Sequence, residues 1–172
     1  MGVSITMREH VELTAFVLQE TLDYLPDSGL FVWKIDAARN VKAGSVARAG
    51  SRPGCHIQIK IRGRLYYAHR LAWLHTHGEW PKHFIDHIDG DKSNNRLANL
   101  RDVSRSVNGQ NQRKAMRDNK SGMLGVSVIG ARFRALIVVE GMQRYLGTYD
   151  DAKTAHAVYL AEKRRLHAGC SI

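Results

Sequence analysis

The chain reads as an α+β protein, and three observations lead there. A helical repeat of apolar residues opens it and two short alternating hairpins follow. A strand–loop–strand–helix order then occupies the middle. From residue 121 onward, three strands run into one amphipathic helix, the order expected of a sheet packed on a helix. The expected organisation is a small mixed region over 1–64 with a helix and hairpins, a central core over 65–111, a basic linker over 112–120 and a C-terminal module over 121–172.

Val11, Leu13, Phe16, Val17 and Leu22 predict a helix over about 7–22, with Thr6-Met-Arg-Glu9 as its capping box. Pro26-Asp-Ser-Gly29 is a turn between Tyr24-Leu25 and Leu30–Trp33, which predicts a hairpin. Residues 36–54 are rich in Gly, Ala, Ser and Arg and read as loop or irregular strand. His56–Ile61 alternates and Arg64–Tyr67 pairs back across Arg62-Gly63, a second hairpin. His69–Gly78 reads as a helix closed by Gly78. His69, His75 and His77 invite a zinc reading, but 75 and 77 do not share a helix face and no cysteine joins them.

Phe84–Ile88 reads as a strand and Asp89–Asn95 as a loop. Leu100–Val103 is the second strand, and Ser104 caps a helix carrying Val107, Asn108 and Asn111. Residues 112–121 are polar, basic and aperiodic. Gly125–Val128, Arg132–Val139 and Arg144–Tyr149 are the three strands, and Thr148-Tyr-Asp-Asp151 is read as the start of the last helix. Its expected inner face is Ala152, Ala155, Val158, Tyr159, Glu162 and Leu166, with Gly169 ending it.

The net charge is +10, of which residues 101–172 carry +7. Such an excess suits a nucleic-acid partner or an anionic surface. No run approaches the length of a membrane helix and no signal peptide is recognised, so no membrane partner is expected. Two cysteines, Cys55 and Cys170, allow one disulfide at most and point to a reducing, cytoplasmic setting.

The chemistry concentrates in residues 85–108, IDHIDGDKSNNRLANLRDVSRSVN. Hydrolysing a phosphodiester needs a water, a group that takes its proton, and positive charge at the phosphate. The imidazole of His87 suits proton removal near neutral pH. Asp86 and the carboxamide of Asn108 offer hard oxygens, which suit magnesium, or alternatively manganese, better than zinc. Neighbours on a regular strand face opposite ways, so Asp86 and His87 serve one site only if the strand distorts where the loop leaves it. A calcium loop over Asp86–Asn95 fails, because no Glu closes it.

Asp86-His87, Asn99 twelve residues later and Asn108 nine beyond that resemble the HNH, or ββα-metal, endonucleases of the phage homing type. The flanking text Ala-His-Arg-Leu-Ala-Trp73, Asp-His-Ile-Asp-Gly-Asp-Lys-Ser-Asn-Asn95 and Asn-Leu-Arg101 belongs to the same resemblance, which spans 65–111. It implies His87 as general base, Asp86 and Asn108 as metal ligands, Asn99 bracing the loop and orienting His87, and His69 in support. It implies a 3′ hydroxyl and a 5′ phosphate as products.

Residues 121–168 resemble the APETALA2-type DNA-binding domain through Ser-Gly-Met-Leu-Gly-Val-Ser127, Arg-Phe-Arg-Ala-Leu-Ile137 and Tyr-Leu-Gly-Thr-Tyr149, with Phe133 where many members carry Trp. Alternation puts Phe133, Ala135 and Ile137 toward the helix, and Arg132 and Arg134 on the other face. With Arg144 on the neighbouring strand, and Arg113, Lys114 and Lys120 in the linker, these are the expected contacts to double-stranded DNA. The resulting expectation is a metal-dependent DNA endonuclease with no small-molecule cofactor. The alternative is a non-catalytic DNA-binding regulator on a decayed nuclease scaffold. Oligomeric state is not legible.

Overall fold

The computed structural model describes residues 12–49, 54–167, 169 and 170. The fold is mixed α+β and divides into two units. The first runs to Pro81 and includes Lys92–Ala98; the second holds Lys82–Asp91 and the chain from Asn99 onward.

In the first unit, α1 spans Ala15–Thr21. It starts later than the apolar spacing predicts, because Thr14 is the N-cap and its Oγ1 accepts from Val17 N at 3.3 Å. Leu13 is buried outside the helix, its carbonyl taken by Trp80 Nε1. The expected capping box at Thr6–Glu9 lies outside the described residues. Strands β1 (Leu22–Leu25) and β2 (Leu30–Trp33) form the first hairpin, and β3 (Gln58–Ile61) and β4 (Arg64–Tyr67) the second, both antiparallel. Between them, the described residues form isolated bridges such as Ala38 to Val41. Helix α2 (Ala68–His77) follows β4 directly and ends on Gly78 at φ +78°, the left-handed cap that glycine permits. Leu18, Leu22, Phe31, Ile59, Ile61, Leu71 and Leu74 are fully buried. Residues 92–98 lie against the first hairpin, with Tyr24 OH donating to Asn95 O at 2.7 Å and Arg96 Nε to Asp27 O at 2.7 Å. A Cβ on Gly29 would lie 2.5 Å from Arg96 N, so that turn needs glycine.

The second unit contains two layered pieces. Strands β5 (Phe84–His87) and β6 (Leu100–Val103) pair antiparallel, and α3 (Arg105–Gln110) follows, capped by Ser104 as its sequence predicts. Strands β7 (Val126–Ile129), β8 (Arg132–Val139) and β9 (Met142–Tyr149) form an antiparallel sheet in that order, packed on α4 (Ala152–Leu166). Val126, Ala135, Ile137, Val139, Ala155 and Tyr159 are the core, with Phe133 against it. The alternation expected of β8 is therefore present.

Two expectations about α4 are corrected. Its cap is Asp151, whose Oδ1 accepts from Thr154 N at 2.8 Å, and Thr148 remains in β9. Its buried charged residue is Lys163, 1 % exposed, not Glu162. Lys163 lies over the Tyr159 ring and its Nζ donates to Gln112 O. The linker is thus fastened at its start, and at its end Asn119 Nδ2 and Ser121 Oγ both bond Val126 O.

Candidate active site

The site is built on the register of β5 and β6. Directly opposed residues share a face, so Asp86 opposite Arg101 sets a carboxylate beside a guanidinium. Arg101 Nε and Nη2 donate to Asp86 Oδ2 at 2.9 and 2.7 Å. Asn111, the C-cap of α3, brings its Nδ2 to 3.1 Å from each carboxylate oxygen, and to 2.8 Å from the carbonyl of His87. The Asp86 side chain is only 8 % exposed. An unpaired carboxylate at that depth would cost several kcal/mol, so these donors offset its burial and fix its direction.

His87 ends β5 and is 4 % exposed. Its carbonyl also accepts from Gly90 N at 2.8 Å, which closes a turn at Gly90 φ +76°. A Cβ on Gly90 would sit 2.6 Å from the Arg113 side chain, so glycine lets Arg113 lie across the turn. Arg113 Nη2 donates there to Ile88 O at 2.9 Å. Asn99 ties the same loop from the other side. Its Oδ1 accepts from Asp89 N at 3.0 Å, its Nδ2 donates to Asp89 Oδ1 at 2.9 Å, and its carbonyl accepts from Ile88 N.

Asn108 precedes Asn111 by one turn of α3 and so shares its side of the helix. Its carboxamide makes no hydrogen bond among the described residues. Arg101 Nη2 also reaches Gly169 O at 2.7 Å, and Gly169 N donates to Gln110 Oε1 at 3.0 Å. The chain after α4 is therefore bonded to the partner of Asp86. Asn111, Arg101 and Gly169 are not among the site residues that the sequence singles out. Asn111 carries one signal, its three-residue spacing from Asn108, and Arg101 belongs to the Asn-Leu-Arg101 segment of the HNH resemblance.

The remaining expected residues are distributed as follows. His69 is buried in the first unit, its ring stacked on Tyr67 and 4.8 Å from that of His56. His75 packs on Tyr24 and Phe31, and His77 stacks on Trp73. Arg132 and Arg134 share the outer face of the sheet. Arg132 Nε pairs with Asp150 at 2.8 Å, whereas the buried Nε of Arg134 has no hydrogen-bond partner among the described residues. Arg144 opposes Ile137 and so points to the helix side, where its charge acts on Glu162. It is not grouped with Arg132 and Arg134. Lys114 and Lys120 are exposed on the linker. Burial pushes the Lys163 ammonium below its ordinary range, and the nearby Arg113 charge pushes the same way.

Residues 66–110 match a family model described as HNH endonuclease. Protein 3.8 of Escherichia phage T7 is 33 % identical over 102 residues, which cover 58 % of this chain and 83 % of that protein. The chain belongs to the HNH endonuclease family. No solved structure matches it. The HNH match encloses β5, β6, α3 and the whole Asp86–Asn108 interval. The family carries a nuclease-type function, implies a nucleic-acid substrate and uses a divalent metal ion. No helix among the described residues is long and apolar enough to cross a membrane.

Proposed function

We propose that this HNH protein is a metal-dependent DNA endonuclease of the phage homing type, acting on double-stranded DNA in the host cytoplasm. The observation that carries the reading is the Asp86 carboxylate, adjacent to His87 and aimed by Arg101 and Asn111 within the HNH segment. Among the described residues, Asp86 Oδ1 accepts from Asn111 alone, while Oδ2 accepts from both Arg101 nitrogens as well. Oδ1 and the uncommitted oxygen of Asn108 are hard donors, and they fit magnesium or manganese. Such an ion, when bound, stabilises charge developing on the phosphate and the leaving oxygen.

The protein supplies the rest. His87 takes the proton of the attacking water on a ring nitrogen. Asn99 holds the loop that leaves His87 and thereby its orientation. Arg113, lying on that loop, offers a guanidinium to the phosphate. Attack on phosphorus breaks the bond to the 3′ oxygen and leaves a 3′ hydroxyl and a 5′ phosphate. The C-terminal sheet and helix act as an APETALA2-like module that holds DNA through Arg132 and Arg134, assisted by Lys114 and Lys120 from the linker.

One observation favours the alternative, a non-catalytic regulator on a decayed scaffold. Three donors occupy Asp86 Oδ2, which lowers its capacity to bind an ion. A supercoiled plasmid incubated with the pure protein separates the two readings. The nuclease nicks or linearises it with magnesium and leaves it intact with EDTA. The regulator shifts the plasmid in a gel and leaves it intact in both.

A further inference from the structure

The first unit carries a surface feature that the nuclease chemistry does not use. An open pocket of about 430 Å³ lies between β4 and Trp80, lined by Glu12, Leu65, Tyr66, Tyr67, Arg70 and Trp80. The rings of Tyr66 and Trp80 are nearly parallel, 19° apart, with centroids at 6.0 Å. Arg70 lies over Trp80 at 5.7 Å, and Arg64 over Tyr66 at 6.0 Å. Leu65 and Tyr67 are 55 % and 44 % exposed at its edge. Aromatic faces beside guanidinium groups are what a nucleobase and its phosphate require together. Glu12 on the rim would repel a bare phosphate, so backbone charge alone is a poor occupant. A base inside a duplex has both faces covered by its neighbours and cannot enter.

We propose that the Tyr66–Arg70–Trp80 pocket binds an unpaired nucleobase of single-stranded or locally opened DNA. The inference rests on the reading that the chain acts on DNA. The ring faces of Tyr66 and Trp80 take the base. Arg70 and Arg64 turn their guanidinium groups to the flanking phosphates.

The test is a fluorescence titration of the full chain in EDTA. It uses an oligothymidylate and a base-free deoxyribose-phosphate oligomer of equal length and charge. The oligothymidylate is expected to bind about tenfold more tightly, within the range of one base stacked on an aromatic side chain, and to quench tryptophan emission. Trp80→Phe retains that preference and loses most of the quenching, because Trp33 is buried and Trp73 is stacked on His77. Tyr66→Leu and Arg70→Gln each narrow the preference, whereas Arg132→Ala with Arg134→Ala weakens both oligomers alike. Equal affinity for the two oligomers overturns the proposal, as does undiminished quenching in Trp80→Phe. Because nothing is cut in EDTA, failure of plasmid cleavage would refute the nuclease reading and leave this one standing.

Discussion

At the scale of single residues, the account turns on how Asp86 is held. Asn111 donates to both of its oxygens and to the carbonyl of His87, so one carboxamide fixes two consecutive residues of β5. Replacing it with Ala strips a buried carboxylate of donors, and Asn111→Ala should cost about 1.5–3 kcal/mol in thermal or denaturant unfolding. His87→Ala differs in kind. It should lower cleavage by about 10²–10⁴-fold, the usual contribution of a positioned acid–base group, while gel-shift affinity stays unchanged. A variant that cuts at the parent rate would remove His87 from the chemistry. The Asp86-His87 pair draws attention in the sequence only together with Asn99, Asn108 and the flanking text that carry the HNH resemblance. The part played by Arg101 is not legible there, because it depends on the β5–β6 register that sets it opposite Asp86. Gly169 reads in the sequence only as the end of the last helix, which stops earlier, at Leu166 with His167 as its cap, and its contribution to the site is a backbone carbonyl that no residue type announces.

At the scale of elements, turns and caps were the most readable part. Gly78 and Ser104 act locally, through a left-handed φ and an accepting hydroxyl, and both stand where the sequence indicated. The start of α4 is ambiguous in the sequence because Thr148 and Asp151 are both good caps, and the choice between them belongs to the pairing of Thr148 with Arg134. Its inner face differs from the expected one for a related reason. Lys163 is buried because the Gln112 carbonyl and the Tyr159 ring receive its ammonium, and both lie far from it or a turn away in sequence. Contact between β7 and α4 is close enough for a direct test. Gly125 has φ +75°, and a Cβ there would fall 2.1 Å from the Tyr159 ring. Gly125→Ala should therefore destabilise the C-terminal module by about 2–4 kcal/mol, from overpacking and backbone strain together, read as a shift in its denaturation midpoint. The outer sheet face and linker make a second prediction. If Arg113, Lys114, Lys120, Arg132 and Arg134 each meet one phosphate, DNA affinity should fall about 500-fold between about 50 and 200 mM salt. A flat salt dependence would argue against this surface.

At the scale of the whole molecule, the two units answer differently to pH and to DNA. In the first, burial against Tyr24 and Phe31 holds His75 below its ordinary value of 6.5. The folded unit then binds a proton less readily than the unfolded chain does. Stability from this group is unaffected above about pH 6.5 and is lost as the pH falls through the window beneath it. Melting curves between about pH 7 and pH 5 should slope accordingly, and His75→Gln should flatten them. The second unit joins the HNH strands and helix to the basic sheet, and its excess of positive charge lies in the chain from Arg101 onward. The central claim is that Asp86, His87 and Asn108 form one metal-dependent cutting site. Its most direct test is plasmid cleavage by the parent and by Asp86→Ala, each titrated with magnesium and then treated with EDTA. The account predicts cutting by the parent that rises with magnesium and stops with EDTA, and an Asp86→Ala protein that still binds DNA but does not cut. Cleavage by Asp86→Ala at the parent's magnesium dependence would contradict it.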